Sequence, residues 1–556
     1  MKWLNSLLCA MSMGFVMFMQ IGNAQTIKTI GGTGASYATL YAAFTAINNG
    51  TITGTITLQI TGSTSETSSA KLNASGSGSA NYTSVTIYPT VSGLSISGNL
   101  ALPLIDLNGA DNVTIDGRVN ASGSTISLTI SNTSTSSTAG TSTIRFINDA
   151  TNDIVKYCTL KGASTSASNG ILLFSTTTGT TGNYAITIDD NNITSTGATS
   201  RPINAIYSAG TSAKTNSGEI ISNNNIYNFF SQGTASFGIN LSSYTTGWTI
   251  SGNSFYETTA FAATASVAYT VIQINNTSGS GFSISGNYIG GTSSQCGGGA
   301  WTKNSQNSVF IAIYLNVATG TTSSVQNNTI SNMNWSNSSS ATWTGMSIAA
   351  GDVNIGTTQG NIIGSSTGTG SVTVTGAATG TTVYGINIAS TGTVVCQGNA
   401  VGSVNIANGS TLAGNFYGIY KTAVAGTTTI SNNTIGSPST ANSINASSAS
   451  TSNAQGVYGI YSGGTGTVTI NSNTIANMVN ATTNATTSTA GVINGITSIS
   501  GTNTISGNTI HDLTIANANT SSSNTASVCG IALTGSTLKT VNGNTIYNLS
   551  NSYASY

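Results

Sequence analysis

The sequence predicts an all-β solenoid, a right-handed parallel β-helix of about 15 coils with a short N-terminal capping helix. Three observations predict it: a recurring apolar-x-x-Asn-x-apolar signature, a linked Gly-apolar signature, and two-residue alternation inside each repeat. The first signature appears as Ile188-Asp-Asp-Asn191-Asn-Ile193, Ile250-Ser-Gly-Asn253-Ser-Phe255, Ile284-Ser-Gly-Asn287-Tyr-Ile289 and Ile430-Ser-Asn-Asn433-Thr-Ile435. It returns at Asn473, Asn508 and Asn544, more weakly at Asn224, Asn328, Asn361 and Asn399, and with Cys158 in place of Asn in Val155-Lys-Tyr-Cys158-Thr-Leu160. From position 158 to 544 the intervals run from 29 to 41 residues.

The Gly-apolar signature lies 12 to 20 residues before most of these asparagines, for instance Gly385-Ile386, Gly418-Ile419, Gly459-Ile460 and Gly495-Ile496. Thr467-Val468-Thr469-Ile470 shows the alternation of a half-buried strand. A propeller blade needs a longer repeat and aromatic blade markers that are missing here. In a β-helix, by contrast, one side chain recurs above itself in every coil. The asparagine then reads as a turn residue that tolerates left-handed backbone and stacks into a hydrogen-bonded ladder.

Composition narrows function. Charged residues are 4% of the chain, hydrophobic residues 38%, and the formal net charge is zero. The twelve Lys and Arg are scattered. Nucleic-acid binding and a polybasic membrane patch both need clustered cations, so both are excluded as expectations. Ile and Val in register with Asn and Gly argue against disorder, and only four prolines suit long ladders.

Residues 1–24 read as a signal peptide, with Lys2, an apolar stretch from Leu7 to Phe18, and Gly22-Asn23-Ala24 before Gln25. No later run is long enough for a membrane span. Residues 25–150 form the cap and first coils, with a helix expected where Leu40, Phe44 and Ile47 fall at helical spacing, and 151–550 carry the repeats. Residues 551–556 are a tail without a polar cap, which suggests a truncated chain or a last coil covered by a partner. Cys158, Cys296, Cys396 and Cys529 are expected as buried thiols more than as disulfides, three of them at inward positions. No cofactor or metal is expected, and His511 is expected at the surface.

The pair Leu104-Ile-Asp-Leu-Asn-Gly109 and Asn112-Val-Thr-Ile-Asp-Gly117, together with the Gly-Asn-Thr-Ile turns, resembles the pectate-lyase-like superfamily of right-handed β-helices. Within it the chain is most similar to repeat-rich secreted and surface proteins of Gram-negative bacteria, over roughly residues 26–550. For the enzymes of that superfamily the resemblance implies clustered Asp with nearby Arg or Lys and an acidic polysaccharide substrate. Asp106, Asp111 and Asp116 match its structural turn positions. Few residues here suit catalysis: Asp189-Asp190 is the best carboxylate pair, with Lys156 and Arg201 as lone surface charges. Convergence of those four residues in one cleft would favour an enzyme.

A binding role rests on aromatic positions. With Ile419 and Ile460 inward, Tyr420 and Tyr461 face outward one coil apart, and Tyr207 and Tyr314 occupy equivalent positions. Trp335 and Trp343 are expected in one exposed inter-strand loop. Thr427/Thr429, Thr467/Thr469 and Thr502/Thr504 form an outward Thr-x-Thr array like that of ice-binding solenoids. The leading expectation is a non-enzymatic, secreted or cell-surface, adhesin-like rod that contacts a glycan or another surface. A polysaccharide lyase or glycoside hydrolase of the same fold is the alternative, and an ice-binding solenoid the minor one.

Overall fold

Strand after strand pairs in parallel with the strand one coil earlier, and this register builds three long sheets. The structure, a computed structural model, describes residues 25–304, 306–409, 414–484, 486–487, 491–522 and 525–554. The expected signal peptide lies outside the described residues. The first sheet has 16 strands, from Thr26–Ile30 to Lys539–Asn542, and the third has 14, from Ala70–Asn73 to Val528–Leu533. Between them the second sheet takes one or two short strands per coil, as in Thr434–Gly436 and Ile444–Ser448, which merge in the next coil into Thr474–Thr482. The chain is a right-handed parallel β-helix.

One α-helix, Leu40–Asn48, packs beside the first coils with Leu40, Phe44 and Ile47 fully buried. Thr39 caps it through a hydroxyl that accepts from the Ala42 N–H, and the buried Glu66 carboxylate accepts the N–H groups of Leu40 and Tyr41 at 3.0 Å each. The first coils are laid down by strands Gly54–Ile60, Tyr82–Pro89, Pro103–Asn108 and Val113–Asp116.

The asparagine ladder is continuous from Asn191 through Asn224, Asn253, Asn287, Asn328, Asn361, Asn399, Asn433, Asn473 and Asn508 to Asn544. At each step both the backbone N–H and the side-chain Nδ2 donate to Oδ1 of the next asparagine, at 2.9–3.0 Å for Asn433 and Asn473. Nδ2 also donates to a carbonyl one coil back, such as Cys396 O. Cys158 heads the row through its N–H alone.

In every ladder coil but that of Asn361, left-handed backbone belongs to the residue before the asparagine and not to the asparagine itself. Asp190, Asn223, Gly252, Asn432, Ser472 and Gly507 all have φ between 55° and 68°. The two x positions of the signature are therefore a turn, and the asparagine turns inward to be buried at 0–1% exposure in coils such as those of Asn191, Asn433 and Asn473.

The Gly signature has a packing cause. A Cβ on Gly418 would lie 2.5 Å from Gly459 O and 2.6 Å from Ile435 Cγ2, and one on Gly459 would meet Gly495 O and Ile475 at 2.6 Å each. Ile435 and Ile475 are the apolar residues two after Asn433 and Asn473. Across the core, the two sequence signatures of one coil therefore touch each other.

Three further expectations need correction. Trp335 and Trp343 lie on strands Met333–Asn337 and Trp343–Ala350, both at 0% exposure, in a core cluster with Phe310. Met333, Trp335 and Asn337 alternate inward, so a segment that looks loop-like in its Asn and Ser content is a strand. His511 is buried, stacked on Tyr547 at 4.8 Å, with Nδ1 2.5 Å from Asp512 Oδ2. Cys158 and Cys396 are buried free thiols as expected, whereas Cys529 pairs in register with Asn494 on the outward row of the third sheet.

Candidate functional site

The outer face of the third sheet carries the tyrosines. Strand register links Tyr207, Asn240, Gln273, Tyr314, Ser347, Asn387, Tyr420 and Tyr461 in one axial column. The structure thus puts all four tyrosines singled out in the sequence on one line, although only Tyr420 and Tyr461 touch, with ring centroids 5.2 Å apart.

Three tyrosines were missed. Tyr384, Tyr417 and Tyr458 form the adjacent outward column and stack with centroids 5.3 and 5.0 Å apart and planes within 10°. With Tyr420 and Tyr461 they make a plate of five half-buried rings; Tyr417 and Tyr420 approach to 4.4 Å. Each missed residue precedes the Gly signature, as Tyr-Gly-Ile, and that triplet was the signal that could have found them. Two outward positions flank one inward Gly-Ile pair, so both tyrosines of a strand face solvent. Burial against neighbouring rings raises the Tyr458 phenol to about 12 and holds Tyr384 and Tyr420 above the ordinary value. These rings are therefore neutral phenols at physiological pH.

The same column continues toward the N-terminus as Lys71, Asp106, Arg145 and Leu173. Arg145 grips Asp106 through Nε and Nη2, both at 2.8 Å. Its Nη1 makes no hydrogen bond among the described residues and lies over Gly140, where a Cβ would come within 2.9 Å of it. Two shallow depressions share Arg145. One, of about 310 Å3, is lined by Tyr41, Lys71 and Asp106; the other, of about 300 Å3, by Gly140, Leu173 and Tyr207.

The residues weighed for catalysis divide. Lys156 and Asp189 are register partners, and Asp190 holds the neighbouring Tyr157 phenol above its ordinary value. Lys156 also lies 3.7 Å from Asp116, which Arg118 holds with a fork at 2.9 and 2.6 Å. Asp189 accepts from Ser222 and Asn223 on the next coil. These charges answer one another. Arg201 is elsewhere and is not a surface charge: its Nη1 lies 2.8 Å from both oxygens of fully buried Glu257. The four residues do not converge. Among the described residues no group of three or more His, Cys, Asp or Glu is placed to hold a metal ion, and no helix is long and apolar enough to cross a membrane.

The Thr-x-Thr array is regular, with Thr427, Thr467 and Thr502 in one register column and Thr429, Thr469 and Thr504 in the next, on the first sheet.

No family model matches the chain, and no curated protein matches it. Among solved structures it is similar to PfbA, a surface adhesin of Streptococcus pneumoniae, at 12% identity and a TM-score of 0.29, over 69% of this chain and 86% of that one. It is also similar to the PL6 family alginate lyase AlyGC in two structures, at 7% and 8% identity and TM-scores of 0.25 and 0.21, each over 94% of this chain and 100% of that one. The strand register, and not these likenesses, carries the fold. Fold and outer face define a β-helix rod with one tyrosine-bearing side, uncharged along its outward column from Tyr207 to Tyr461.

Proposed function

We propose that the protein is a secreted or cell-surface rod of the pectate-lyase-like superfamily, non-enzymatic and adhesin-like, that binds glycan through the outer face of its third sheet. Residues 25–150 serve as cap and first coils, and 151–550 as the repeat array. The observation that carries this reading is the tyrosine column, which ends in the five-ring plate. Aromatic rings offer large contact area with little entropy to lose, and phenol hydroxyls add polar contacts. Binding of the mature chain to a glycan array tests it: Tyr420→Ala with Tyr461→Ala abolishes the signal, and a rod with no ligand gives none to abolish.

A second reading, a polysaccharide lyase or hydrolase, is favoured by one observation. Lys71, Asp106 and Arg145 come from three successive coils and line adjoining depressions. Incubation with uronate polysaccharides, followed by the absorbance of unsaturated product, tests it. Lys71→Ala removes any such activity if this groove is catalytic.

A further inference from the structure

Within the tyrosine column the spacing is regular. Asn240 and Gln273 separate Tyr207 from Tyr314, and Ser347 and Asn387 separate Tyr314 from Tyr420. A tyrosine thus recurs every third coil, about 14 Å at a coil spacing of roughly 4.8 Å. Between the rings the column dips at Asn240 and Ser347, each 7% exposed, while Gln273 and Asn387 are partly exposed like the tyrosines. No aromatic ring lies against Tyr207 or Tyr314 among the described residues, and both side chains are partly exposed. Asn387 presents a buried Oδ1 with no hydrogen-bond partner beside Tyr420. From Tyr207 to Tyr461 the column holds no charged residue, and neither does the neighbouring outward column from Phe237 to Tyr458.

We infer that this column binds one neutral, linear, extended glycan lying along the rod axis, with a sugar ring on each of Tyr207, Tyr314 and Tyr420. An extended β-linked chain advances per ring by a distance only slightly greater than one coil spacing, so about every third sugar meets a tyrosine. The intervening hydroxyls meet Asn240, Gln273, Ser347 and Asn387. Absence of charge disfavours uronates here, and a tightly coiled α-glucan would turn its rings out of line. The inference rests on the glycan-binding reading and fixes the ligand's class, direction and minimum length.

Calorimetric titration of the mature chain with neutral β-1,4-linked trisaccharide and heptasaccharide separates the two. The heptasaccharide spans three tyrosines and binds on the order of tenfold tighter or more, because its later contacts are intramolecular. Tyr314→Ala cuts heptasaccharide affinity but removes only one of the three seats open to the trisaccharide, lowering its stoichiometry and not its affinity at the other two, and Tyr314→Phe restores both; thermal unfolding of each variant controls for the fold. Equal affinity at both lengths, no effect of Tyr314→Ala on the longer chain, or equal binding of uronate or malto-oligosaccharides overturns the axial site while leaving glycan binding intact. Binding of no oligosaccharide at any length overturns both.

Discussion

The chain up to Glu257 and the chain after it hold the same coil together by different means. Before that point four ion pairs tie neighbouring segments: Arg118–Asp116, Lys156–Asp116, Arg145–Asp106 and Arg201–Glu257. After it only Lys303, Asp352, Lys421, Asp512 and Lys539 carry charge. Lys303 and Lys421 are fully buried there and donate to oxygens of Ser336 and Asn337, and of Ala423 and Thr465, with no carboxylate partner among the described residues. The asparagine ladder begins only at Asn191. Charge pairing is therefore concentrated where amide stacking is absent or starting, and uncharged coils follow once the ladder is established.

That contrast can be broken at its strongest point first. Arg201→Ala leaves the Glu257 carboxylate buried without its cation, at a cost of about 3–5 kcal/mol in denaturant unfolding. Replacing both partners, Arg201→Met with Glu257→Leu, recovers most of it, because desolvating two charges offsets much of their attraction. In the ladder half, Asn433→Ala strips the Asn399 N–H and Nδ2 of their acceptor and costs about 3 kcal/mol. A loss below about 1 kcal/mol would sink the view that the ladder holds the later coils.

The third test uses pH. Burial raises the Glu219 and Asp153 carboxyls well above their ordinary values. Native protein then binds more protons than unfolded protein above the ordinary carboxylate range. Their contribution is fully present below that range and is lost as pH rises through the raised values. Glu219→Gln should flatten the fall in melting temperature on the alkaline side and change little in acid. The smallest effect belongs to Lys156→Ala, within about 0.5 kcal/mol, since its contact with Asp116 is long and partly solvated.

Much of this was legible because a β-helix writes its packing at fixed offsets. Asn433 and Gly418 announce a buried amide and a close approach, and the alternation at Thr467–Ile470 announces a strand. The αL position was harder: Asp190, Asn432 and Gly507 share a backbone conformation but no side chain, so the recurrent asparagine drew attention from its neighbour. Arg201 was illegible because its partner Glu257 lies 56 residues away, and neither sits in a repeated slot. Trp335 was lost to composition, its inward alternation hidden among Asn and Ser. For the candidate site, Tyr420 and Tyr461 followed from the Gly-Ile register. The residue on the other side of the same glycine obeys the same geometry, and missing it left Tyr384, Tyr417 and Tyr458 unseen.

The ladder has a direction. Every Nδ2 from Asn191 to Asn508 donates toward the C-terminal neighbour, and every receiving Oδ1 faces back. These amide dipoles add along the axis with their positive ends toward the C-terminus, and each bond polarises the next. A molecule with formal net charge zero is thereby an electrically polar rod, one that an applied field should orient end from end.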